Sequence, residues 1–475
     1  MLRMHLRKTK IVCTLGPATD STEGITALID AGMDVARLNF SHGRREDHRA
    51  TIRRVREVAR QSGREVGVLQ DLGGPKIRLG ELPDGGVSLE TGNTVELAVE
   101  DSTPAGAIPV DYPHLLEDVA PGETILLADG VAELEVTEVL ADRLICIVVN
   151  GGELSSRKGV NLPQATLRVP AVTDKDLADL EVGLDEGVDF VALSFVRHEN
   201  DLQAVRDRLA SLERPPLLIA KIEKPQAVER IAQIMTVVDG LMVARGDLGV
   251  EMPPEKVPII QKRIIRAARE AGRPVITATQ MLRSMVDSPR PLRAEASDVA
   301  NAVFDGTDAL MLSEETAIGR YPNEAVRMLH RVSLEAEGYL DLEAMTAEAH
   351  AGGSSHVTDA LSRAACSLAA AIEAAAIVTT TTSGSTARLI ARHRPGVPVL
   401  GMTTTAEVAR QLTLSWGVIP APIATPDDLE ALGRAILHEL AGQELGTRGD
   451  HVVLVAGLPL GFSDSANVLR VHRLE

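Results

Sequence analysis

Apolar positions along the first two-thirds of the chain follow two rhythms in turn. Short runs, apolar at nearly every position, stand at 10–14, 34–38, 66–70, 188–193, 217–221, 240–244, 275–278 and 309–312. Runs of that length and content predict strands, several of them buried on both faces. Most are followed by an apolar stripe at helical spacing. Ser21 stands before TEGITALIDAG, which Gly32 closes, and Thr173 opens TDKD, a helix start whose end Gly187 marks. Eight strand–helix units in series predict an α/β chain closed into a parallel (β/α)8 TIM barrel rather than an open sheet.

The third unit is interrupted. From 72 to 171 the pattern turns all-β, with VSLETGNTVELAVE, ETILLADGVAELEVTEVL and RLICIVV separated by Gly-containing turns. This predicts a small β domain inserted after the third strand, where an insert overhangs the active site of a barrel and can act as a lid. The barrel then spans 1–71 and 172–345. The segment EAMTAEAHAGGS (343–354) reads as a linker, and 355–475 as a separate α/β unit. That unit has a helix at 357–372, strands at 376–379, 397–401 and 451–456, and helices between.

Composition narrows the function. At 475 residues the chain needs more than one core. A net charge of −18 repels a phosphate backbone and anionic lipid, so nucleic acid and membrane are excluded as partners. A small phosphorylated ligand then has to be captured by local Arg, Lys or metal. Cys13, Cys146 and Cys366 have neither disulfide nor metal-ligand spacing, which fits a reducing cytoplasm. The basic start lacks the apolar core of a signal peptide.

Functional groups of a barrel sit at the C-terminal ends of its strands. The polar residues there are Arg37, Asn39, Ser41 and His42 after the second strand, Asp71 after the third, and Lys221 and Glu223 after the fifth. Arg245, Gly246 and Asp247 follow the sixth, Thr279 and Gln280 the seventh, and Ser313, Glu314 and Glu315 the eighth. Polar groups at six of eight exits exceed what loop solvation explains. Glu223 and Asp247 supply oxygen donors of the kind Mg2+ takes, leaving its other positions to water and substrate. Lys221, on the same strand face as Glu223, can stabilise charge on a transferring phosphoryl oxygen. Each residue has a plainer reading: carboxylates paired with neighbouring bases, Lys221 in a salt bridge to Glu223, ARGDLG an ordinary tight turn rather than a backbone cradle for a carboxylate. Their shared position at one barrel mouth favours phosphoryl transfer at a divalent-metal site. No Gly-Lys dipeptide occurs and no two glycines stand two apart, so the usual nucleotide loops are absent.

The strings at these exits resemble pyruvate kinase. RLNFSHG (37–43), DLGGPKIR (71–78), RKGVNLP (157–163), VTDKD (172–176), AKIEKPQAVE (220–229), MVARGDLGVE (242–251), TATQMLRSM (277–285), RAEASDVANAVFDGTDALMLS (293–313) and YPNEAV (321–326) stand in that family's order. The resemblance covers about residues 8–475. It implies transfer of the phosphoryl group of phosphoenolpyruvate to ADP, giving pyruvate and ATP. It implies a catalytic barrel, an inserted β-barrel lid, a C-terminal regulatory domain and a homotetramer. By position, Glu223 and Asp247 hold Mg2+ or Mn2+, Lys221 stabilises the transferring group, and Arg37 grips the phosphate. Gly246, Asp247 and Thr279 hold the substrate carboxylate. Arg78, Lys158 and His42 reach the nucleotide, and Ser313, Glu315 and Thr279 lie where the family relays a proton to the enolate.

Two departures from the family pattern carry information. Many members have D-T-K-G-P-E-I-R where this chain has Asp71-Leu72-Gly73-Gly74-Pro75-Lys76-Ile77-Arg78. Asn39, Ser41, Asp71 and Leu72 occupy the family's monovalent-ion positions, but Leu72 brings no hydroxyl. Lys76 is expected to place a resident ammonium there in place of K+, so that K+ is not required; the plainer reading is a surface lysine. Glu314 stands where many members have Gly or Ala and is expected to point away from the phosphates. In the C-terminal unit, Thr382, Ser383, Gly384, Ser385 and Thr386 open a helical run, either as a plain cap or as a cradle for a phosphorylated effector. The loop 457–467 lacks the basic residue that holds a second phosphate, which favours a monophosphate such as a sugar monophosphate or AMP, or no effector. The rival readings are a metal-dependent aldolase or lyase of pyruvate enolate chemistry and a non-catalytic regulatory homologue.

Overall fold

The computed structural model describes residues 6–165, 167–342, 345, 357–426, 428–457 and 466–474. All of the linker reading at 343–354 but residue 345, and most of the loop 457–467, lie outside these residues.

The eight apolar runs form a closed barrel of parallel strands: Lys10–Thr14, Val35–Asn39, Gly67–Leu72, Phe190–Leu193, Leu217–Ile222, Gly240–Ala244, Val275–Ala278 and Ala309–Leu312. Each strand pairs with its sequence neighbours, and the first closes on the eighth. One set of side chains, including Val12, Leu69, Ile219 and Met311, fills the barrel interior. Outward-facing residues such as Ile11, Val68 and Leu241 pack under the surrounding helices. The helix signals act as expected. Ser21 accepts from the Gly24 N–H at 3.0 Å and Gly32 closes that helix at φ +118. Thr173 and Asp176 form a reciprocal cap.

Boundaries shift at two strands that matter. The third runs on to Leu72, so Asp71 lies within a strand rather than past it, and the fifth runs on to Ile222, so Lys221 lies inside its strand rather than at the last position. Their backbones are held by strand pairing on both sides, which makes them rigid mounts for functional groups.

Between the third strand and the helix Asp174–Asp185, the inserted segment builds a six-stranded sheet and a two-stranded ribbon around one apolar core that includes Leu97, Ile125, Leu134 and Val148. The C-terminal unit is a five-stranded sheet ordered Val418–Pro422, Val399–Thr403, Ala376–Thr380, His451–Ala456, Val468–Arg473, the last pairing antiparallel. Its two edge strands escape a reading by apolar runs: VIPAP carries two prolines and VLRVHR alternates with charge. Both features are tolerated at sheet edges, where a missing N–H or a charged face costs little. The C-terminal unit docks on the N-terminal end of the barrel through Arg394–Asp308 at 2.9 Å, Arg410–Asp189 at 2.8 Å and Lys10 Nζ donating to the Val418 carbonyl at 2.7 Å. Among the described residues no helix is long and apolar enough to cross a membrane.

Candidate active site

Strand register brings four charged side chains together at the barrel mouth. Asn39 pairs with Asp71 across the second and third strands, and Leu193 pairs with Leu72 and Ala220. Lys221 Nζ lies 3.0 Å from Glu223 Oε1 and 3.2 Å from Asp71 Oδ1, and donates to Ser194 Oγ at 2.7 Å. Arg37 donates from Nε to Asp71 Oδ2 at 2.7 Å and from Nη1 to Thr14 Oγ1 at 2.8 Å. Glu223 Oε2 accepts from the Phe195 N–H at 2.8 Å. All four charged groups are buried.

The electrostatics of this cluster are unbalanced at one end. Burial works against the Lys221 ammonium, but Asp71 and Glu223 outweigh it and raise its pKa. Burial likewise pushes the Asp71 carboxyl up, but Lys221 and Arg37 together hold it below the ordinary carboxylate value. Glu223 goes the other way. Burial, reinforced by the Asp247 carboxylate, raises its pKa despite Lys221. Asp247 is half-buried, in the first turn of the helix Arg245–Glu251, and makes no hydrogen bond or ion pair among the described residues. Two neighbouring carboxylates with one cation between them leave a deficit of positive charge, and all the donors are hard oxygens. That set fits a divalent ion such as Mg2+. Among the described residues no cluster of three or more His, Cys, Asp or Glu has metal-binding geometry.

Opposite this cluster stands Thr279, with φ +71, an outlying backbone conformation for a β-branched residue. Its Oγ1 accepts from the Gly246 N–H at 2.7 Å and donates to the Ala278 carbonyl at 2.7 Å. Arg245 turns back from the mouth and fastens this strand end. It donates to the Thr279 carbonyl at 2.8 Å and the Ala278 carbonyl at 3.2 Å, and pairs with Asp298 at 2.7 Å. Glu315 is buried and accepts from the Leu282 and Ser313 N–H groups at 3.0 and 2.7 Å, so its carboxylate ties the seventh and eighth exits together. Glu314 pairs with Arg283 at 2.6 Å, both side chains about half exposed.

Asn39, Ser41 and Leu72 sit beside the Asp71 cluster. Asn39 Oδ1 accepts from the Ser41 N–H at 3.2 Å, Leu72 is fully buried, and its carbonyl accepts from Ser194 at 2.7 Å. Lys76 is exposed on the cleft between barrel and lid, beside Gly159, and makes no ion pair with Asp71 among the described residues. Arg78 bridges to Gly159 and donates to the Arg157 carbonyl at 3.0 Å, while Lys158 is exposed on the lid. The His42 imidazole has a lowered pKa, first from burial and then from Arg78, Lys76 and Arg37, which marks a cationic rim. The lid is fastened to the barrel where Asn161 donates to Glu251 Oε1 at 2.8 Å, the same oxygen that Lys224 Nζ meets at 2.5 Å. Residues 382–386 lie in the C-terminal unit, apart from this site. Their loop turns at Gly384 with φ +78 and the Ser383 and Ser385 hydroxyls are 3.1 Å apart.

Thr14, Ser194, Phe195 and Lys224 complete the site and were not among the residues picked out by polar exits. Thr14 and Ser194 are single hydroxyls at the ends of apolar strands, and only strand register shows what they touch.

The family model for the pyruvate kinase barrel domain matches residues 6–326, and that for the pyruvate kinase alpha/beta domain matches residues 359–472. The chain is 44% identical to pyruvate kinases of Sporosarcina psychrophila and Geobacillus stearothermophilus over 471 residues, covering 98% of this chain and 80% of each relative. A crystal structure of a pyruvate kinase from Cryptosporidium parvum superposes with a TM-score of 0.94 at 37% identity, covering 100% of this chain and 97% of that one. With a barrel domain and an alpha/beta domain both matched and the relatives this similar along the chain, the chain belongs to the pyruvate kinase family of phosphotransferases.

Proposed function

We propose that the enzyme transfers the phosphoryl group of phosphoenolpyruvate to ADP, yielding pyruvate and ATP, with Mg2+ or Mn2+ held by Glu223 and Asp247 and without need for K+. The observation that carries this is the buried Lys221 between Asp71 and Glu223, beside an Asp247 carboxylate with no partner among the described residues. Glu223 and Asp247 would hold a divalent ion, which would supply positive charge to the phosphoryl oxygens.

The side chains do the rest by position and charge. Arg37 uses three N–H groups on Asp71 and Thr14, which leaves two of its five for a phosphate. Lys221 has an acceptor at each of its three contacts, so one of them yields as the phosphoryl group arrives. Asp71 is the one that can yield, since Arg37 still neutralises it. The N–H groups of Gly246 and Asp247, at the first turn of a helix, together with the Thr279 hydroxyl, hold the substrate carboxylate, the Gly246 N–H and the Thr279 hydroxyl exchanging their present acceptors for it. Arg78 and His42 on the rim and Lys158 on the lid reach the ADP phosphates. Thr279 and Ser313 stand nearest the path of the proton to the enolate carbon, with Glu315 orienting Ser313.

Lys76 stands in for the monovalent ion as a positive charge on the same rim, joined to the third strand by a short loop. A phosphorylated effector, a sugar monophosphate or AMP, is the ligand proposed for Thr382–Thr386, supported by the clustered hydroxyls. Exposed Ile259 and Phe304 on barrel helices, with Leu292 and Ile318 at helix caps, support assembly into a homotetramer. Pyruvate release, followed with and without ADP and with Mg2+ in Na+ or tetramethylammonium buffer, tests the whole reading. ADP-independent pyruvate formation indicates a lyase instead, and a strong rise on adding K+ removes the role given to Lys76.

A further inference from the structure

The inserted lid meets the barrel at one buried charge. Glu251, 5% exposed, closes the helix Arg245–Glu251, and its Oε1 meets both Lys224 Nζ at 2.5 Å and the Asn161 side-chain amide at 2.8 Å. Its Oε2 is shut off from solvent and has no donor among the described residues. Lys224 is buried as well, its ammonium 6.0 Å from the centre of the Phe195 ring. A buried ion pair with one oxygen shared and the other bare adds little to stability. Its place in the chain gives it another use.

Lys224 is the residue after Glu223, and Glu251 stands one helical turn after Asp247, on the same face of that helix. The pair therefore ties together the two segments that carry the carboxylates of the proposed metal site. Asn161 brings in the lid. It ends the strand Val160–Asn161, which pairs with Thr124–Leu127 in the lid sheet. In the same segment the Lys158 carbonyl accepts from the Leu79 N–H at 2.8 Å, the Ile77 carbonyl accepts from the Val160 N–H at 3.0 Å, and Arg78 bridges to Gly159. Residues 77–79 and 158–161 are thus one piece of backbone, and it carries both Arg78 and Lys158. Outside the connecting segments 72–76 and 162–173, no other side-chain hydrogen bond or ion pair joins lid and barrel among the described residues. With this contact made, Arg78 and Lys76 stand near enough to the rim to add to burial in lowering the His42 pKa. Cations gathered on one rim repel one another until a phosphate arrives, and the bond at Asn161 opposes that repulsion.

We propose that Asn161, Glu251 and Lys224 form a latch that positions the lid over the metal-site carboxylates, so that one network sets both the nucleotide contacts and the spacing of Glu223 and Asp247. The proposal rests on the phosphoryl-transfer reading above. The three are positioning residues: Arg78 and Lys158 reach the nucleotide, and the latch decides where those two stand. A lid freed to sample other positions is competent to bind for a smaller fraction of the time, and the apparent affinity for ADP falls by that fraction.

Pyruvate release is measured with ADP, phosphoenolpyruvate and Mg2+ each varied in turn. Asn161→Ala frees the lid and leaves the Lys224–Glu251 pair. It is expected to raise KM for ADP about tenfold, the loss of one good hydrogen bond to a charged acceptor, with KM for phosphoenolpyruvate and the Mg2+ dependence unchanged. Lys224→Met loosens both connections, so the Mg2+ concentration for half-maximal rate is expected to rise along with KM for ADP. A merely structural pair would lower the melting temperature of both variants without separating the three constants in this way. An unchanged KM for ADP in Asn161→Ala overturns the proposal, as does an equal rise in KM for phosphoenolpyruvate. An unchanged Mg2+ titration in Lys224→Met overturns it too; should that variant fail to fold, Asn161→Ala decides alone. Hydrogen exchange over 77–79 and 158–161 reads the latch without turnover. Faster exchange in Asn161→Ala than in wild type, with the barrel strands unchanged, is expected, and equal exchange overturns the latch. A wild type that releases no pyruvate from phosphoenolpyruvate and ADP refutes the reaction reading instead, and hydrogen exchange then still decides the latch.

Discussion

Replacing Lys221 with Met removes one ammonium and keeps most of the stem, so its effects are chiefly electrostatic. The change deletes contacts at 2.7 Å to Ser194, 3.0 Å to Glu223 and 3.2 Å to Asp71. Breaking a buried ion pair from one side costs about 3–5 kcal/mol. The lower end applies here. Asp71 keeps Arg37, and Ser194 keeps the Leu72 carbonyl, so Glu223 alone loses its only cation among the described residues. A loss of about 3 kcal/mol is a large fraction of typical domain stability but leaves a folded barrel. The effect on turnover is larger. A preorganised donor aimed at developing charge is worth about 10²–10³ in kcat, and Lys221 is a full charge in a buried site, so kcat is expected to fall by about 10³-fold or more. Binding of phosphoenolpyruvate, gripped by Arg37 and the Gly246–Thr279 cradle, is expected to change little. Steady-state pyruvate release at saturating ADP and Mg2+, with KM and kcat separated, checks this. Turnover within about tenfold of wild type, or a rise in KM at unchanged kcat, would remove Lys221 from the transition state and leave it a structural ion pair.

Further outcomes follow from the same geometry. Asp247→Asn removes one of two oxygen anions at the proposed metal site, and the Mg2+ concentration for half-maximal rate is expected to rise by at least about tenfold; an unchanged Mg2+ titration places the metal elsewhere. Lys76→Glu is expected to make the enzyme depend on K+, with activity in tetramethylammonium buffer lost and restored by added KCl. Asp34 is a stability test away from the active site. Burial raises its pKa, but Arg7 at 2.7 Å, Lys10 and the Ile11 N–H outweigh that and lower it overall. A depressed carboxylate contributes stability that is present above its unfolded value near 3.9 and is lost as pH falls through its lower folded value. Asp34→Asn should therefore be less stable than wild type by a constant amount above about pH 5, with the gap closing on further acidification in urea melts. A gap independent of pH down to 2 refutes the ionic reading.

The barrel was legible because its strands are buried on both faces and so read as unbroken apolar runs. The same property hid part of the site. Ser194 looks like the polar end of an apolar strand, yet it follows Leu193, whose register partners are Leu72 and Ala220, so it must stand level with Lys221. Contacts of this kind join residues far apart in the chain and are set by strand register, which hydrophobic period alone leaves open. Arg245 shows the opposite error of a polar-exit reading. It leaves its strand beside Asp247 but turns back to bind the Thr279 and Ala278 carbonyls, with Asp298 neutralising it. No propensity predicts a threonine at φ +71, because its branched side chain disfavours that region. The conformation persists because two groups hold it from different directions, Arg245 on its carbonyl and the Gly246 N–H on its hydroxyl. Gly246 fits there because a Cβ at that position would come within 3.3 Å of Thr279 Oγ1. The first glycine in ARGDLG is thus favoured less by its own backbone, which is helical, than by the strained residue it faces. This gives that string a reason in the geometry of the proposed carboxylate cradle: strain at Thr279 and the absent side chain at Gly246 are two halves of one close approach.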